Sequence, residues 1–309
     1  MDNKKIFVID DDPHIVELLQ VGLENAGYTV LSDSDGSSAV AGVKTKKPDL
    51  IILDLMLPGM NGYDICACLK EKEDTALIPI IILSAKDTPP DKITALKLGA
   101  DEYVTKPFDI DEMVTRVNTL LTRTEYFLDA NPLTRLPGNT TIMREAGRRL
   151  KLNEPFAFIY VDINNFKAFN DNYGFDRGDE AIKTTAAILR NSADEHNFAG
   201  HIGGDDFIFI CSPENAEKSC LAIIRDFDSS IQGLYNQEDL ERGYIISKDR
   251  LGTEQKFPVM TLSIGAVIQD DYTNPVRYGN IVDTATQMKK FAKMNNPGSK
   301  SYYAFNKRK

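Results

Sequence analysis

The chain has 309 residues, of which 42% are hydrophobic and 27% are charged, and its formal net charge is −10. This length suits about two domains, and the composition excludes a disordered or fibrous protein. The negative charge argues against nucleic acid or an anionic membrane as partner. No apolar run approaches the ~20 residues that span a bilayer, and the N-terminal sequence has no signal-peptide pattern. We therefore expect a cytoplasmic protein.

The first 125 residues alternate short apolar strands with amphipathic helices. The predicted strands read KKIFVID, YTVLSD, DLIILDL, PIIIL and EYVT. Strands that are apolar throughout and separated by helices predict a parallel sheet that is covered on both faces. The fold class of this part is therefore α/β, with a doubly wound sheet.

Polar residues follow these strands where function is usually found, at the carboxyl ends. They are Asp10, Asp11 and Asp12 after the first strand, Asp54 after the third, Ser84 after the fourth and Lys106 after the fifth. Clustered carboxylates require a cation, and oxygen ligands suit Mg²⁺. A lysine and a hydroxyl group nearby can stabilise a phosphoryl group carried by one carboxylate.

These motifs resemble the receiver domain of two-component response regulators over residues 1–121. The matching stretches are IDDD, DLMLPGMNG around Asp54, SA after IIIL, and YVTKPF. The resemblance implies a flavodoxin-like, five-stranded sheet and a sensor histidine kinase as phosphate donor. By this resemblance Asp54 is the phosphoacceptor and Tyr103 is the switch. Mg²⁺ is held by Asp10, Asp11 and the Met56 carbonyl together with Asp54. Ser84 and Lys106 contact the phosphoryl group.

Residues 109–130 repeat apolar residues at helical spacing, with no glycine or proline before Pro132. This pattern predicts that the last receiver helix continues as a helical linker over residues 122–130. Packing on its own sheet accounts for the first half of the helix. For the second half we expect pairing with another copy as a short parallel coiled coil, which makes the protein a homodimer.

The second half predicts the order β-α-α-β-β-α-β-α-β, a mixed sheet with helices on one face, of the ferredoxin-like α+β kind. Asp162 is predicted to end the strand FIYVD, and Asp205 and Asp206 to lie in the turn of the hairpin HIGGDDFIF. The residues alone leave two interpretations open. The turn carries solvated charges, as Gly-Asp turns often do, or the carboxylates form a Mg²⁺–triphosphate site.

Several spaced motifs resemble the GGDEF family, which condenses two GTP molecules into cyclic diguanylate. They are NPLTRLPGN, DINNFKAFNDNYG with Gly-Asp at 178–179, GGDDF, SIGA and ATQMKKFAK. The resemblance implies a nucleotidyl-cyclase-like domain over residues 131–309, with half a site in each of two facing subunits. By this resemblance Mg²⁺ is held by Asp162, Asp205 and the Ile163 carbonyl, and guanine is bound by Asn170 and Asp179. Phosphates are bound by Phe166, Lys167, Lys293 and Lys300. Asp206 acts on the attacking 3′-hydroxyl.

The chain departs from the family pattern at several positions. Asp206 replaces glutamate and is one methylene shorter, and a ~1 Å misplacement of a catalytic group can cost about a hundredfold in rate. Asn131 and Thr140 replace an Asp–Arg pair, and Ser299 occupies the loop where an arginine is usual. Two functions therefore stay open: a phosphorylation-controlled diguanylate cyclase, and a degenerate domain that acts by binding GTP, cyclic diguanylate or a protein.

Two further features lie outside these motifs. Residues 234–257 are extra relative to a compact family member and predict a protruding hairpin, either a surface decoration or a docking arm. The four cysteines lack C-x-x-C spacing, so we expect them to be reduced and buried as small apolar residues. The three histidines are scattered, and none is assigned to a metal.

Overall fold

The computed structural model describes residues 4–248, 254–273, 276–295 and 300–306. The chain divides into two compact units, residues 1–128 and 129–309. Within the described ranges, no helix is both long enough and apolar enough to pass through a bilayer.

The first unit alternates strands and helices as predicted. Its elements are β1 (Lys5–Ile9), α1 (Pro13–Asn25), β2 (Thr29–Asp33), α2 (Gly36–Lys46), β3 (Leu50–Asp54), α3 (Gly62–Lys70), β4 (Ile80–Ser84), α4 (Pro89–Lys97), β5 (Glu102–Thr105) and α5 (Ile110–Asp129). The five strands pair in parallel in the order β2-β1-β3-β4-β5. The order reverses between β1 and β3, which is where ligands bind in doubly wound sheets.

The central strands β1, β3 and β4 are buried on both faces, and their alternate side chains point to opposite sides of the sheet. Phe7 and Ile9 of β1 pack with α2, α3 and α4, whereas Ile6 and Val8 pack with α1 and α5. This arrangement confirms the doubly wound parallel sheet.

Helix α5 runs without interruption to Asp129. Its apolar stripe is buried through Leu120 and Leu121, while Phe127 and Leu128 near its end are exposed. Helix α5 covers most of residues 122–130, and the role of this stretch as a linker stays a prediction. Pairing with a second copy stays a prediction.

The second unit is built around a mixed sheet. Its elements are α6 (Asn139–Lys151), β6 (Phe156–Asn164), α7 (Phe166–Tyr173), α8 (Phe175–Ser192), β7 (Phe198–Gly203), β8 (Asp206–Cys211), α9 (Ala216–Ser230), α10 (Gln237–Arg242), β9 (Tyr244–Lys248), β10 (Glu254–Pro258), β11 (Thr261–Gln269), α11 (Tyr278–Asn295) and β12 (Tyr302–Phe305). The main sheet has the order β12-β11-β6-β8-β7. Only the β11–β12 pair is parallel among its described strands.

Helices cover both faces of this sheet, so the expectation of helices on one face is wrong. Ile159 and Val161 of β6 face the core under α7, α8 and α9, while Phe158 and Tyr160 face α6 and α11. The reason lies in β6 itself, since every residue of this strand is buried. A strand that is apolar on both sides requires cover on both sides.

The extra segment folds in part as predicted. Strands β9 and β10 form a separate antiparallel pair, and residues 249–253 between them lie outside the described residues. Ile245 of β9 is fully buried and belongs to the core under α7. The base of this segment is therefore packed against the domain rather than purely decorative.

Three of the four cysteines are buried, as expected, and these are Cys66, Cys211 and Cys220. Burial raises the pKa of Cys66 to about 11 and that of Cys211 to about 11. Cys68 differs, because it is half-buried on α3 and its Sγ lies 3.1 Å from the ammonium of Lys72.

Candidate functional site

The first unit brings two buried carboxylates and a lysine together at the carboxyl ends of its strands. Lys106 Nζ lies 2.7 Å from Asp10 and 3.0 Å from Asp54. Burial raises the pKa of Asp10 despite its bond to Lys106. Burial alone would lower the pKa of Lys106, but its bonds to the two aspartates outweigh that effect and the pKa is raised. The lysine therefore stays protonated and neutralises part of the cluster.

The backbone after β3 also binds the Asp54 carboxylate. The Met56 N–H donates to Asp54 Oδ2 at 2.7 Å, so one oxygen is held by the amide and the other faces Lys106. Asp11 is exposed beside Asp10. Asp11, Asp54 and the Met56 carbonyl offer oxygen ligands, which suit Mg²⁺.

Ser84 and Tyr103 are connected through one loop residue, Lys86. The Ser84 Oγ is fully buried and accepts from the Lys86 N–H at 3.1 Å. The Tyr103 hydroxyl donates to the Lys86 carbonyl at 3.0 Å. A rearrangement at Ser84 would therefore reach Tyr103 through a single residue.

In the second unit, the three predicted carboxylates meet at one end of β6 and β8. Asp162 lies directly opposite Asp206 in the strand register, and the Ile163 N–H donates to the Asp205 carbonyl at 3.2 Å. Two details differ from the prediction, because β6 continues to Asn164 and Asp206 is the first residue of β8 rather than a turn residue. The turn itself is tight, with positive φ angles of 151° at Gly203 and 58° at Gly204.

Two lysines of α11 bind these carboxylates. Lys289 Nζ lies 3.1 Å from Asp162 and 2.8 Å from Asp206, and Lys293 Nζ lies 3.0 Å from Asp162. Residues four apart lie on the same face of a helix. Lys293 is the predicted lysine, whereas Lys289 is missing from the sequence analysis, although this spacing in KKFAK could have indicated it.

A glycine allows the helix to come this close to the sheet. A Cβ at Gly265 of β11 would lie 2.2 Å from the backbone nitrogen of Lys289. The SIGA motif therefore has a packing reason, because any larger residue would push α11 and its lysines away from the carboxylates.

Asp205 carries the charge that best fits a divalent ion. Burial, followed by the neighbouring charge of Asp162, raises the pKa of Asp205, and no ion pair to Asp205 is found in the described part of the chain. In that part, no three His, Cys, Asp or Glu side chains form a complete metal site. A partial oxygen shell fits Mg²⁺, which usually takes one or two carboxylates and completes its shell with phosphates and water.

The side chain of Asn170 on α7 has an unusual environment. Its Oδ1 is buried and, among the described residues, has no hydrogen-bond partner. A Cβ at Gly178 of α8 would lie only 1.6 Å from this oxygen, so the glycine makes room for it. Asp179 is exposed next to Gly178. A buried acceptor without a donor costs about 1–3 kcal/mol, a cost that a hydrogen bond from a ligand would remove if the side chain turned outward.

The chain enters α7 through two asparagines. Asn164 Nδ2 donates to the hydroxyls of Thr261 and Ser263 at 3.0 and 2.9 Å, a contact within the sheet. Asn165 has a positive φ of 63°. The amides of Phe166 and Lys167 then form the first turn of the helix, where N–H groups have no intrahelical acceptor.

The positions that depart from the family pattern make local contacts. Asp129 accepts from the N–H groups of Thr140 and Thr141 at 2.9 and 2.8 Å, and Asn131 accepts from the N–H of Leu133 at 3.0 Å. Asp129 is thus an N-terminal cap of α6 that sequence analysis does not predict.

Lys300 lies just before β12. It lines a cavity of about 610 Å³ together with Asp228 and Met260. It forms no ion pair with Asp162, Asp205 or Asp206 within the described ranges. Ser299 lies outside the described residues, and the phosphate role of Lys300 stays a prediction.

His201 is a further residue that sequence reasoning did not assign. Its Nδ1 lies 3.0 Å from the Thr134 hydroxyl and its Nε2 lies 3.0 Å from the Gly204 carbonyl. The ring stacks on Phe207 at 4.2 Å. Burial lowers the pKa of His201. Because a carbonyl can only accept, the proton of the neutral ring belongs on Nε2, and the ring holds the turn next to Asp205.

Comparison with known families matches both halves of the chain. Residues 6–118 match the response regulator receiver domain, and residues 129–296 match the diguanylate cyclase GGDEF domain. The alkaline phosphatase synthesis transcriptional regulatory protein PhoP of Bacillus subtilis is 48% identical over 123 residues, covering 40% of this chain and 50% of that protein. The master transcriptional regulator RpaA of Synechocystis is 44% identical over 142 residues, covering 43% of this chain and 59% of that protein.

A solved receiver domain of the Francisella response regulator 1452 is 38% identical, with a TM-score of 0.38, and covers 40% of this chain and 99% of that one. The chain thus spans little more than half the length of the two regulators it matches. The chain belongs to the GGDEF family of diguanylate cyclase domains and is a response regulator in which a receiver domain precedes that output domain.

Proposed function

We propose that phosphorylation of Asp54 by a sensor histidine kinase controls condensation of two GTP molecules into cyclic diguanylate and pyrophosphate by the second domain. One observation carries the proposal: Asp162, Asp205 and Asp206 meet at one sheet end, in the same domain as the Asn170 oxygen, which has no hydrogen-bond partner among the described residues. The first group suits a metal-bound triphosphate, and the second suits a base with amino and imino donors.

In the receiver, Asp54 acts as the nucleophile: its Oδ1 forms a bond to the phosphorus of the kinase phosphohistidine, the P–N bond breaks, and the kinase imidazole leaves. Lys106, already 3.0 Å from Asp54, then pairs with the new phosphoryl charge. Asp10, Asp11 and the Met56 carbonyl would hold Mg²⁺ with Asp54, where the ion would supply charge neutralisation. The Ser84 hydroxyl turns toward the phosphoryl group, and the change reaches Tyr103 through Lys86.

In the output domain, Asn170 and Asp179 accept hydrogen bonds from the guanine edge. Lys293 is 54% exposed, so its side chain is able to turn from Asp162 to the triphosphate. The backbone amides of Phe166 and Lys167 and the Lys300 ammonium hold further phosphate oxygens. Asp162, Asp205 and the Ile163 carbonyl hold Mg²⁺, which supplies charge neutralisation when bound. Asp206 receives the proton of the attacking 3′-hydroxyl.

Condensation requires two facing subunits, so we propose a homodimer formed through the receiver and α5. Phe127 and Leu128 near the helix end supply exposed apolar surface for pairing. Light scattering should give a dimer mass in the presence of beryllofluoride, which mimics the phosphoryl group. A monomer both with and without beryllofluoride would exclude this switch.

A second function is favoured by one specific contact. Lys289 Nζ lies 2.8 Å from Asp206 Oδ1, so an ion pair already occupies the carboxylate that would receive the 3′-hydroxyl proton. A domain of this kind retains guanine recognition but turns over slowly, and then signals as a GTP-binding or cyclic diguanylate-binding effector.

One experiment separates the two functions. Purified full-length protein is incubated with GTP and Mg²⁺, with and without beryllofluoride, and the nucleotides are separated by chromatography. The proposal expects cyclic diguanylate to form faster with the phosphoryl mimic, and Asp205→Asn to abolish it. GTP that stays bound and unconverted would establish the effector function, and a protein that binds neither GTP nor cyclic diguanylate would refute both functions.

A further inference from the structure

Lys289 is much more enclosed than Lys293, although both lysines contact Asp162. The Lys289 side chain is 13% exposed against 54% for Lys293, and its ammonium lies 4.1 Å from the ring centroid of Tyr160. Two carboxylates and an aromatic face therefore surround Lys289, and its main chain lies against Gly265. Lys293 can leave the carboxylates for a ligand, whereas Lys289 is held in place.

The position that Lys289 occupies is one where a cation is required. Asp162 and Asp206 are register partners on adjacent strands, and like charges directly opposite each other destabilise a sheet. Asp205 adds a third carboxylate, with no ion pair found in the described part of the chain. The negative charge between Asp162 and Asp206 is thus neutralised in part by Lys289. The charge of Asp205 has no such partner in the described part of the chain.

We propose that the Lys289 ammonium is a tethered cation that takes the place of a divalent ion between Asp162 and Asp206. The domain then takes up one divalent ion, held by Asp205 and Asp162 with the bound triphosphate, and no second ion between Asp162 and Asp206. This inference rests on the proposed function, in that it takes Asp162 and Asp205 as the metal carboxylates. It adds that this chain supplies part of the site's positive charge from its own helix.

The test counts metal ions rather than product. Full-length wild type, Lys289→Met and Lys290→Met are titrated with Mn²⁺ in the presence of a non-hydrolysable GTP analogue, and bound Mn²⁺ is measured by electron paramagnetic resonance. Lys290 is exposed on the same helix and serves as the matched control. Ions bound by the receiver contribute equally to all three proteins and cancel in the comparison.

Lys289→Met is expected to bind about one Mn²⁺ more per chain than wild type or Lys290→Met, because two facing carboxylates recruit a hard dication. The double variant Lys289→Met/Asp206→Asn should lose this additional ion. Equal Mn²⁺ binding by Lys289→Met and Lys290→Met would overturn the inference, and so would an additional ion that persists in the double variant.

A second readout covers the case in which Lys289→Met folds poorly. Lys289→Gln keeps a hydrogen-bond donor without the charge, and Mg²⁺ should raise its Tm at least about twofold more than it raises that of wild type, since ligand binding stabilises the folded state. An unchanged Mg²⁺ response would contradict the tethered cation. Asp205→Asn tests the proposed function separately, and this variant should bind less Mn²⁺ than wild type. Equal Mn²⁺ binding by the two proteins would show that Asp205 holds no metal ion.

Discussion

Asp162 lies directly opposite Asp206 across two adjacent antiparallel strands. Both carboxylates are attached to paired strand residues at one end of the sheet rather than to the turn itself, so the reach of each is fixed by the length of its side chain. Lys289 on helix α11 forms an ion pair with each of them. The chemistry of this site therefore depends on ångström-scale differences in side-chain length.

The first prediction concerns that length. Asp206→Glu should raise the rate of cyclic diguanylate formation about tenfold, because the additional methylene moves the carboxylate outward from β8 and past Lys289, toward the bound nucleotide. The rate is measured by chromatography under saturating GTP, and Asp206→Asn, which removes the base, should abolish product. An unchanged rate in Asp206→Glu would locate the defect elsewhere, for example at Thr140 or Ser299.

Asn170 allows a test that separates binding from stability. Asn170→Ala should weaken GTP binding by about tenfold or more, because the guanine loses an acceptor. The Tm without nucleotide should stay equal or rise, because the variant removes a buried oxygen that has no partner in the described residues. Calorimetric titration and thermal unfolding provide the two values.

Asn172→Ala, at an exposed position of the same helix, is the control for Asn170→Ala and should leave both values unchanged. A lower Tm for Asn170→Ala together with unchanged GTP affinity would assign Asn170 a structural role.

Asp54 is predicted to be the phosphoacceptor. Asp54→Asn should abolish labelling of the protein by radioactive acetyl phosphate, because an amide cannot act as the nucleophile. Asp12→Asn is the matched control, since Asp12 is exposed and caps α1 by accepting from the His14 N–H, and asparagine caps equally well. Labelling that persists in Asp54→Asn would place the acceptor at another residue.

His201 predicts a pH dependence of folding. Burial lowers the pKa of His201 from its ordinary value of 6.5, so the unfolded chain binds a proton that the folded chain does not bind as the pH falls below that value. The stability of the output domain is therefore complete above pH 6.5 and decreases below it, by at most about 1.4 kcal/mol per pH unit from this residue.

Urea unfolding at several pH values measures this dependence. His201→Gln should flatten the curve between about pH 7 and pH 5 relative to wild type, whereas His196→Gln, at an exposed position, should reproduce the wild-type curve. A His201→Gln curve as steep as that of wild type would assign the pH dependence to other groups.

The sequence predicts most of the fold, because apolar strands and glycine-rich turns are local signals. Asp10, Asp54 and Lys106 were predicted to meet because parallel strands bring their carboxyl ends to one edge, and they do. Lys289 was missed because its role depends on how closely α11 packs against Gly265, a tertiary property. Asp129 was missed for a similar reason, since it lies ten or more residues before the N–H groups that it caps.

The burial of the cysteines has a practical consequence. Three thiols are enclosed in the two cores, and the only half-buried one among the described residues is Cys68 on α3 of the receiver. Thiol reactivity requires access and is favoured by a neighbouring cation such as Lys72. The natural chain thus carries one preferred attachment point for a fluorophore or spin label, which makes the receiver observable without introducing or removing a cysteine.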